Sequence, residues 1–224
     1  MQQTFWRGVF EALPIVAGYT AFGTAFGMLA VKTGMPVLAA TCMSLFVLAG
    51  SAQFVCLSLL SAGASIPVIL SATFILNLRH VLFASSIAHH LPRIPGKWLP
   101  YLAHTITDES YGVNMARYSK QQSLNCASVM GTNMTAHLSW VVATWVGAAL
   151  AQKVHVNLSM LNGALPILFA ALLASQLKQK EDWIWLSCAA AGTAALLLLA
   201  PGNSVFLIVS LLIPTLALLW EKKK

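Results

Sequence analysis

The stretch ATFILNLRHVLFASSIAHHL, residues 72–91, decides how this chain is read, because it sets Asn77, Arg79 and His80 inside an otherwise apolar run. The run extends over about 65–88. A helix needs roughly 20 mostly apolar residues to cross a bilayer. Runs of the same kind occur at 8–30, 37–60, 124–150, 158–177, 183–200 and 204–220. Of the 224 residues, 58% are hydrophobic and 8% charged, against about 25% charged in a soluble domain. Such a chain has too little polar surface to face water. The runs are continuous rather than alternating, unlike those of an outer-membrane barrel. The expected fold is all-α: a polytopic transmembrane bundle of seven or eight helices, with 1–224 forming one integral membrane domain.

The breaks between runs are short and carry turn chemistry, as at Thr33-Gly34-Met35-Pro36, Ser61-Ala62-Gly63 and Pro201-Gly202-Asn203. Arg7 before an apolar stretch suggests a signal peptide, but Glu11 interrupts that stretch and no small-x-small site follows a short core. A retained first span is expected. The count depends on WLPYLAHTITDESYGVNMARYS, residues 98–119, which is long enough to cross but polar. Without a crossing there, ten basic residues (Lys32, Arg93, Lys97, Arg117, Lys120, Lys178, Lys180 and Lys222 to Lys224) share one side, opposite Arg7 and Lys153. With a crossing, Arg7 joins Arg117, Lys120, Lys178, Lys180 and the terminal lysines, opposite Lys32, Arg93, Lys97 and Lys153. Both arrangements put the C-terminus in the cytoplasm. The net charge of +7 reflects this distribution and is no nucleic-acid signal. Cys42, Cys56, Cys126 and Cys188 lie in apolar runs with no zinc or redox spacing and read as small hydrophobes.

An arginine at mid-span costs about 2.5–3.5 kcal/mol on insertion scales. Arg79 therefore needs a partner and a face turned to protein or water. Thr73, Asn77, His80 and Ala84 follow helical 4-3-4 spacing and make one polar stripe beside it. A place on a substrate or ion path is one reading; a structural ion pair is the other. The acids available inside the chain are Glu11, Asp108 and Glu109, since Glu181, Asp182 and Glu221 fall in loops or at the end.

EALPIVAGYTAFGTAFG, residues 11–27, carries Pro14, Gly18, Gly23 and Gly27 behind Glu11. Proline removes a helical hydrogen bond and glycine admits a close neighbour. The segment reads either as a broken first helix with a binding site at the break, or as small-residue packing. A short echo, NGALPI at 162–167, opens a run in the other half. His104, Asp108 and Tyr111 share a helical face, suited to a proton relay or to an interfacial helix with its acids in water. Asn133 and His137 make a further polar stripe, suited first to interhelical hydrogen bonding. HExxH is absent and no metal site or cofactor is expected; the phosphate-binding GxxxxGK[ST] loop is absent too, so transport would run on a gradient.

LPIVAGYTAFGTAFG (13–27), FVLAGSAQF (46–54), NLRH (77–80) and TDES (107–110) resemble, in order, the motifs of the AzlC family, over about residues 6–175. The resemblance implies the large subunit of a bacterial branched-chain amino acid exporter in the inner membrane. It implies valine, leucine and isoleucine as substrates, with methionine a further candidate, and a small AzlD-type membrane subunit as partner. It also implies that Gln53, Asn77, Arg79, His80, Asp108 and Glu109 stand at motif positions. Where that family reads Leu-Asp before Ala-Leu-Pro, this chain has Leu161-Asn162-Gly163-Ala164, which puts the role of an acid there in doubt.

The two lines meet on one mechanism. A zwitterionic amino acid needs a cation for its carboxylate, which Arg79 supplies, and an anion for its ammonium, which Glu11 or Asp108 supplies. His80 or Asp108 would carry a proton driven by the proton-motive force. The alternatives are a passive channel and a membrane-embedded enzyme, the latter disfavoured because nucleophile and metal motifs are missing.

Overall fold

In the computed structural model, residues 2–91, 96–121, 124–151 and 153 are described, with 183–184, 187–188 and 190–192. The expected spans at 158–177 and 204–220, most of that at 183–200, and Asn162 lie outside the described residues. The chain divides into two compact units, Met1–Asn162 and Gly163–Lys224.

The described residues of the first unit hold no strand. The helices are α1 (Gln2–Glu11), α2 (Leu13–Lys32), α3 (Val37–Phe46), α4 (Gly50–Ser61), α5 (Ile66–His90), α6 (Leu99–His104), α7 (Asp108–Gln121) and α8 (Cys126–Ala151). Three of them, α2, α5 and α8, are long and apolar enough to cross a membrane. The first helix is broken as expected, at Ala12, where Pro14 opens α2 in its first turn and needs no hydrogen-bond partner. Two further breaks depart from the sequence reading. One interrupts the second run at Val47–Ala49, where Leu48 takes φ +40, a left-handed conformation that costs a non-glycine residue about 1–2 kcal/mol. The other falls at Thr105–Thr107, between α6 and α7, so His104 and Asp108 do not share one helix as their spacing suggested.

Helices α2 and α8 form the most extensive interface, and α1 continues it. Glycine makes it possible. A methyl group at Gly8 would strike the Ser128 carbonyl, at Gly27 the Thr144 carbonyl, and at Gly147 the Thr24 carbonyl. These backbones touch, as small-residue packing in membranes requires. A methyl group at Gly18 would meet nothing within 4 Å, so this glycine plays no part in that packing. An aromatic core of Tyr19, Phe26, Phe54 and Trp140 fills the space beside it, with edge contacts at 5.1 Å for Tyr19–Trp140 and 5.5 Å for Phe26–Phe54.

The register of the glycine contacts gives the relative direction of the first and last described long helices. Gly8 meets Ser128 and Thr132, Gly23 meets Trp140 and Ala143, and Gly27 meets Thr144 and Ala148. Residue numbers rise together, so α1–α2 and α8 run parallel. The segments between them are α3–α4, α5 and α6–α7. Parallel travel requires an odd number of crossings between them, which α5 alone or all three segments together would supply. Arg7 and Arg117 then belong on one side, and both reach Glu11. Arg7, Arg117 and Lys120 share one side in the eight-helix alternative.

Candidate functional site

The two breaks converge on Arg79. Helix α4 starts at Gly50 and α7 at Asp108, and both starts meet the middle of α5. Arg79 Nη1 pairs with Asp108 Oδ2 at 2.7 Å, and Arg79 Nη2 donates to Ser51 Oγ at 2.5 Å. The TDES stretch explains the start of α7. Thr107 N–H donates to Ser110 Oγ at 2.9 Å while Ser110 N–H donates to Thr107 Oγ1 at 3.3 Å, a reciprocal capping box with serine in the place of glutamate. Asp108 and Glu109 then occupy the first turn, where the positive end of the helix dipole favours carboxylates. Tyr19, from α2, donates to Glu109 Oε2 at 2.6 Å and sits 2.8 Å from Thr107 Oγ1, tying the first helix to this cap.

The site has unfilled valences. Arg79 Nε, Asp108 Oδ1 and Asn77 Oδ1 are buried without hydrogen-bond partners. Yet the Arg79 and Asp108 side chains are 31% and 27% exposed, so the pair borders open space. A groove of about 660 Å³ begins at Asn77 and runs between α3–α4 and α5, walled by Met43, Val47, Cys56, Ile69 and Phe74. Its size falls in the range of small-molecule sites. His80, next to Arg79, is half-buried against Phe83.

A second arginine differs in every respect. Arg117, on α7, is 3% exposed in its side chain. Its Nε donates to Glu11 Oε2 at 2.6 Å, Nη1 to Asn114 and Ser128 at 2.9 and 3.2 Å, and Nη2 to Thr132 at 2.8 Å while also pairing with Glu11. All its N–H groups are engaged, the pattern of a structural anchor. Glu11, which precedes the membrane-spanning length of α2, also binds Arg7 at 2.9 Å. Burial pushes the Glu11 carboxyl up, but Arg117 and Arg7 outweigh it and hold it below its ordinary value.

The candidate residues therefore separate. Asn77, Arg79, His80 and Asp108 lie together, and Glu109 lies beside them on Tyr19. Glu11 belongs to the Arg117 anchor, not to Arg79. Gln53 is fully buried with both amide ends satisfied: Trp140 Nε1 donates to its Oε1 at 2.9 Å, and its Nε2 donates to Ser44 Oγ at 3.0 Å. Ser44 is in turn 2.8 Å from Thr144 Oγ1, so Gln53 locks α3, α4 and α8. Pro14 is exposed at the start of α2 and Gly18 has open space around it. Asn133 accepts from Asn114 at 3.1 Å, the interhelical bond expected of that stripe. Among the described residues no cluster of ligating side chains suits a metal ion. Sequence reasoning missed Tyr19, Ser51 and Arg117. The capping pattern Thr107-x-x-Ser110 was the available signal for a helix start at Asp108.

Known proteins share this chain's pattern along most of its length. The family model described as AzlC protein matches residues 14–154. A Helicobacter pylori protein described as an uncharacterized membrane protein is 30% identical over 218 residues, covering 96% of this chain and 93% of its own. The inner membrane protein YgaZ of Escherichia coli is 28% identical over 187 residues, covering 80% of this chain and 76% of its own. The branched-chain amino acid transport protein AzlC of Bacillus subtilis is 26% identical over 204 residues, covering 89% and 78%. No solved structure matches.

Proposed function

From the premise that this chain belongs to the AzlC family, we propose that it is the large subunit of a secondary exporter of branched-chain amino acids. The chain is a multi-pass inner-membrane transport protein, and both of its compact units would serve one transporter domain.

The observation that carries the reading is the contrast between the two arginines. Arg117 is saturated, whereas Arg79 and Asp108 hold each other with valences to spare beside an apolar groove. An amino acid zwitterion suits that arrangement. Its carboxylate would take Arg79 in a bidentate pair, aided by the α4 and α7 helix starts, whose dipoles favour an anion. Its ammonium would take Asp108. The protein's own ion pair opens and two substrate pairs replace it, so no charge is left unpaired in the membrane. Asn77 Oδ1 is a further acceptor for ammonium, and the groove beyond it would take an aliphatic side chain. Half-helices meeting at mid-membrane around a bound substrate are a recurring transporter design.

Direction and energy source belong to the same proposal: outward transport, driven by the proton-motive force, with a small AzlD-type membrane subunit as partner. Much of α5 is exposed, at Leu70, Phe74, Val81 and Leu82, and that surface would face lipid or the partner. The test is intracellular valine, leucine and methionine after a load of dipeptides, with and without this gene and its partner. Higher amino acid levels in the deletion strain support export. Equal levels in both strains refute it.

A further inference from the structure

The ends of the two broken helical segments, α3–α4 and α6–α7, opposite to Arg79 meet as well. Helix α3 ends just after Leu45, and α6 ends at His104. His104 Nε2 lies 3.2 Å from the Leu45 carbonyl oxygen, and His137 Nε2, from α8, lies 3.1 Å from the same atom. Leu45 is in the last turn of α3, where carbonyls lack helical partners, and two imidazoles supply them. A carbonyl only accepts, so both Nε2 atoms carry hydrogen. Each neutral ring then keeps its lone pair on Nδ1. That of His137 is buried with no partner, in a residue only 5% exposed. The rings stand 5.7 Å apart, edge to face.

We infer that His104 and His137 form a site for one proton, and that its loading and release is the coupling step of transport; this rests on the proposed secondary transport. The proton adds at Nδ1 of one ring and leaves from the same atom, with no other bond made or broken. Two imidazolium ions at this separation repel, so the pair holds one. Two helix C-termini, of α3 and α6, point at the pair and attract a cation, just as two helix N-termini point at Arg79 and attract an anion. The proton and the substrate therefore act on the same two breaks from opposite ends. Leu45 and Ser51 flank one break, and His104 and Asp108 flank the other. A proton at His137 Nδ1 creates a buried donor without an acceptor, which favours a move toward water and pulls on the Leu45 carbonyl.

The neighbours that bear on the pair are few. From α5, His80 interacts electrostatically with His104 and with its neighbour Arg79. From α6, the Tyr101 ring stands 6.2 Å from His137. From α7, Asp108 and Glu109 follow the break, the latter bound to Tyr19 of α2. Helices α3, α4 and α8 contribute cysteines (Cys42, Cys56, Cys126) and no other ionisable side chain besides His137.

The test uses full-length chain and two readouts. In ring-labelled histidine NMR of the purified protein, His104→Gln should shift the protonation step of His137. Independent titration, unmoved by the substitution, overturns the inference even if the variants transport poorly. In liposomes holding this chain with its partner, wild type should accumulate leucine up to about tenfold per unit of pH gradient for one coupled proton. His104→Gln and His137→Gln keep an N–H for Leu45 but cannot titrate. Each should abolish accumulation and retain leucine counterflow. Accumulation by both glutamine variants overturns the inference and leaves the transporter intact. Absence of counterflow in wild type instead removes the transport reading beneath it.

Discussion

Replacing Arg117 by methionine should destabilise the protein far more than the same change at Arg79, and the structure sets the size of the difference. Arg117→Met keeps the aliphatic stem but removes a buried guanidinium with contacts to four side chains. Breaking one side of a buried ion pair costs about 3–5 kcal/mol. The Glu11 carboxylate is 32% exposed and keeps Arg7, so that figure must be discounted for solvent. Against the discount, Asn114 Oδ1 loses its arginine donor, worth roughly 1–3 kcal/mol for a buried group. A net loss of about 3 kcal/mol lowers the apparent melting temperature by roughly 6–12 °C for a chain of this size. Arg79→Met removes a pair that is nearly one-third exposed on both sides and one hydroxyl contact, so it should cost less than Arg117→Met. Thermal unfolding followed by tryptophan fluorescence, at one scan rate in one detergent, measures both. Transport measured in parallel should vanish in Arg79→Met while its melting point falls less than that of Arg117→Met. A larger drop for Arg79→Met than for Arg117→Met would refute the division into anchor and site.

Other substitutions test the packing around that division. Gly27→Ala places a methyl against the Thr144 carbonyl and should abolish the monodisperse peak on size exclusion, whereas Gly18→Ala, with open space around it, should elute like wild type. Gln53→Leu fills the same volume but strands the Trp140 N–H and should lower the melting point by roughly 1–3 kcal/mol equivalent, without changing the pH profile of transport. Because Glu11 is held below its ordinary value of 4.5, its charge stabilises the fold above that pH, and the contribution is lost as pH falls through the lower native value. Melting points taken from pH 6 to 3 should therefore decline less steeply for Glu11→Gln than for wild type, starting from a lower value.

The three long spans α2, α5 and α8 were legible because the bilayer demands long, mostly apolar runs. Arg79 was legible for the converse reason, since lipid makes a mid-span charge expensive and only three acids could answer it. The choice of Asp108 over Glu11 was not legible, because it depends on where α6 stops. The breaks at Leu48 and Thr105–Thr107 carry no proline or glycine. They are held by tertiary contacts, the imidazoles on Leu45 and the Tyr19 hydroxyl at the α7 cap, that no local pattern announces. Arg117 looked like a loop charge for the same reason. It is buried because α7 packs it against Glu11 of α1 and against Ser128 and Thr132 of α8. The polar segment at 98–119 read ambiguously because it mixes buried polar groups (Thr105, Thr107, Ser110, Asn114, Arg117) with exposed ones (His104, Glu109) around a helix break.

The central claim is that Arg79 and Asp108 together receive a zwitterion. Equilibrium binding of radiolabelled leucine to the purified chain with its partner tests it most directly, using competitors that lack one charge. The account predicts saturable binding, displaced by valine and isoleucine but only weakly by isoamylamine or 4-methylpentanoate, and lost in both Arg79→Met and Asp108→Asn. Unchanged leucine binding in those two variants, or displacement by either single-charge analogue as effectively as by valine, would contradict it.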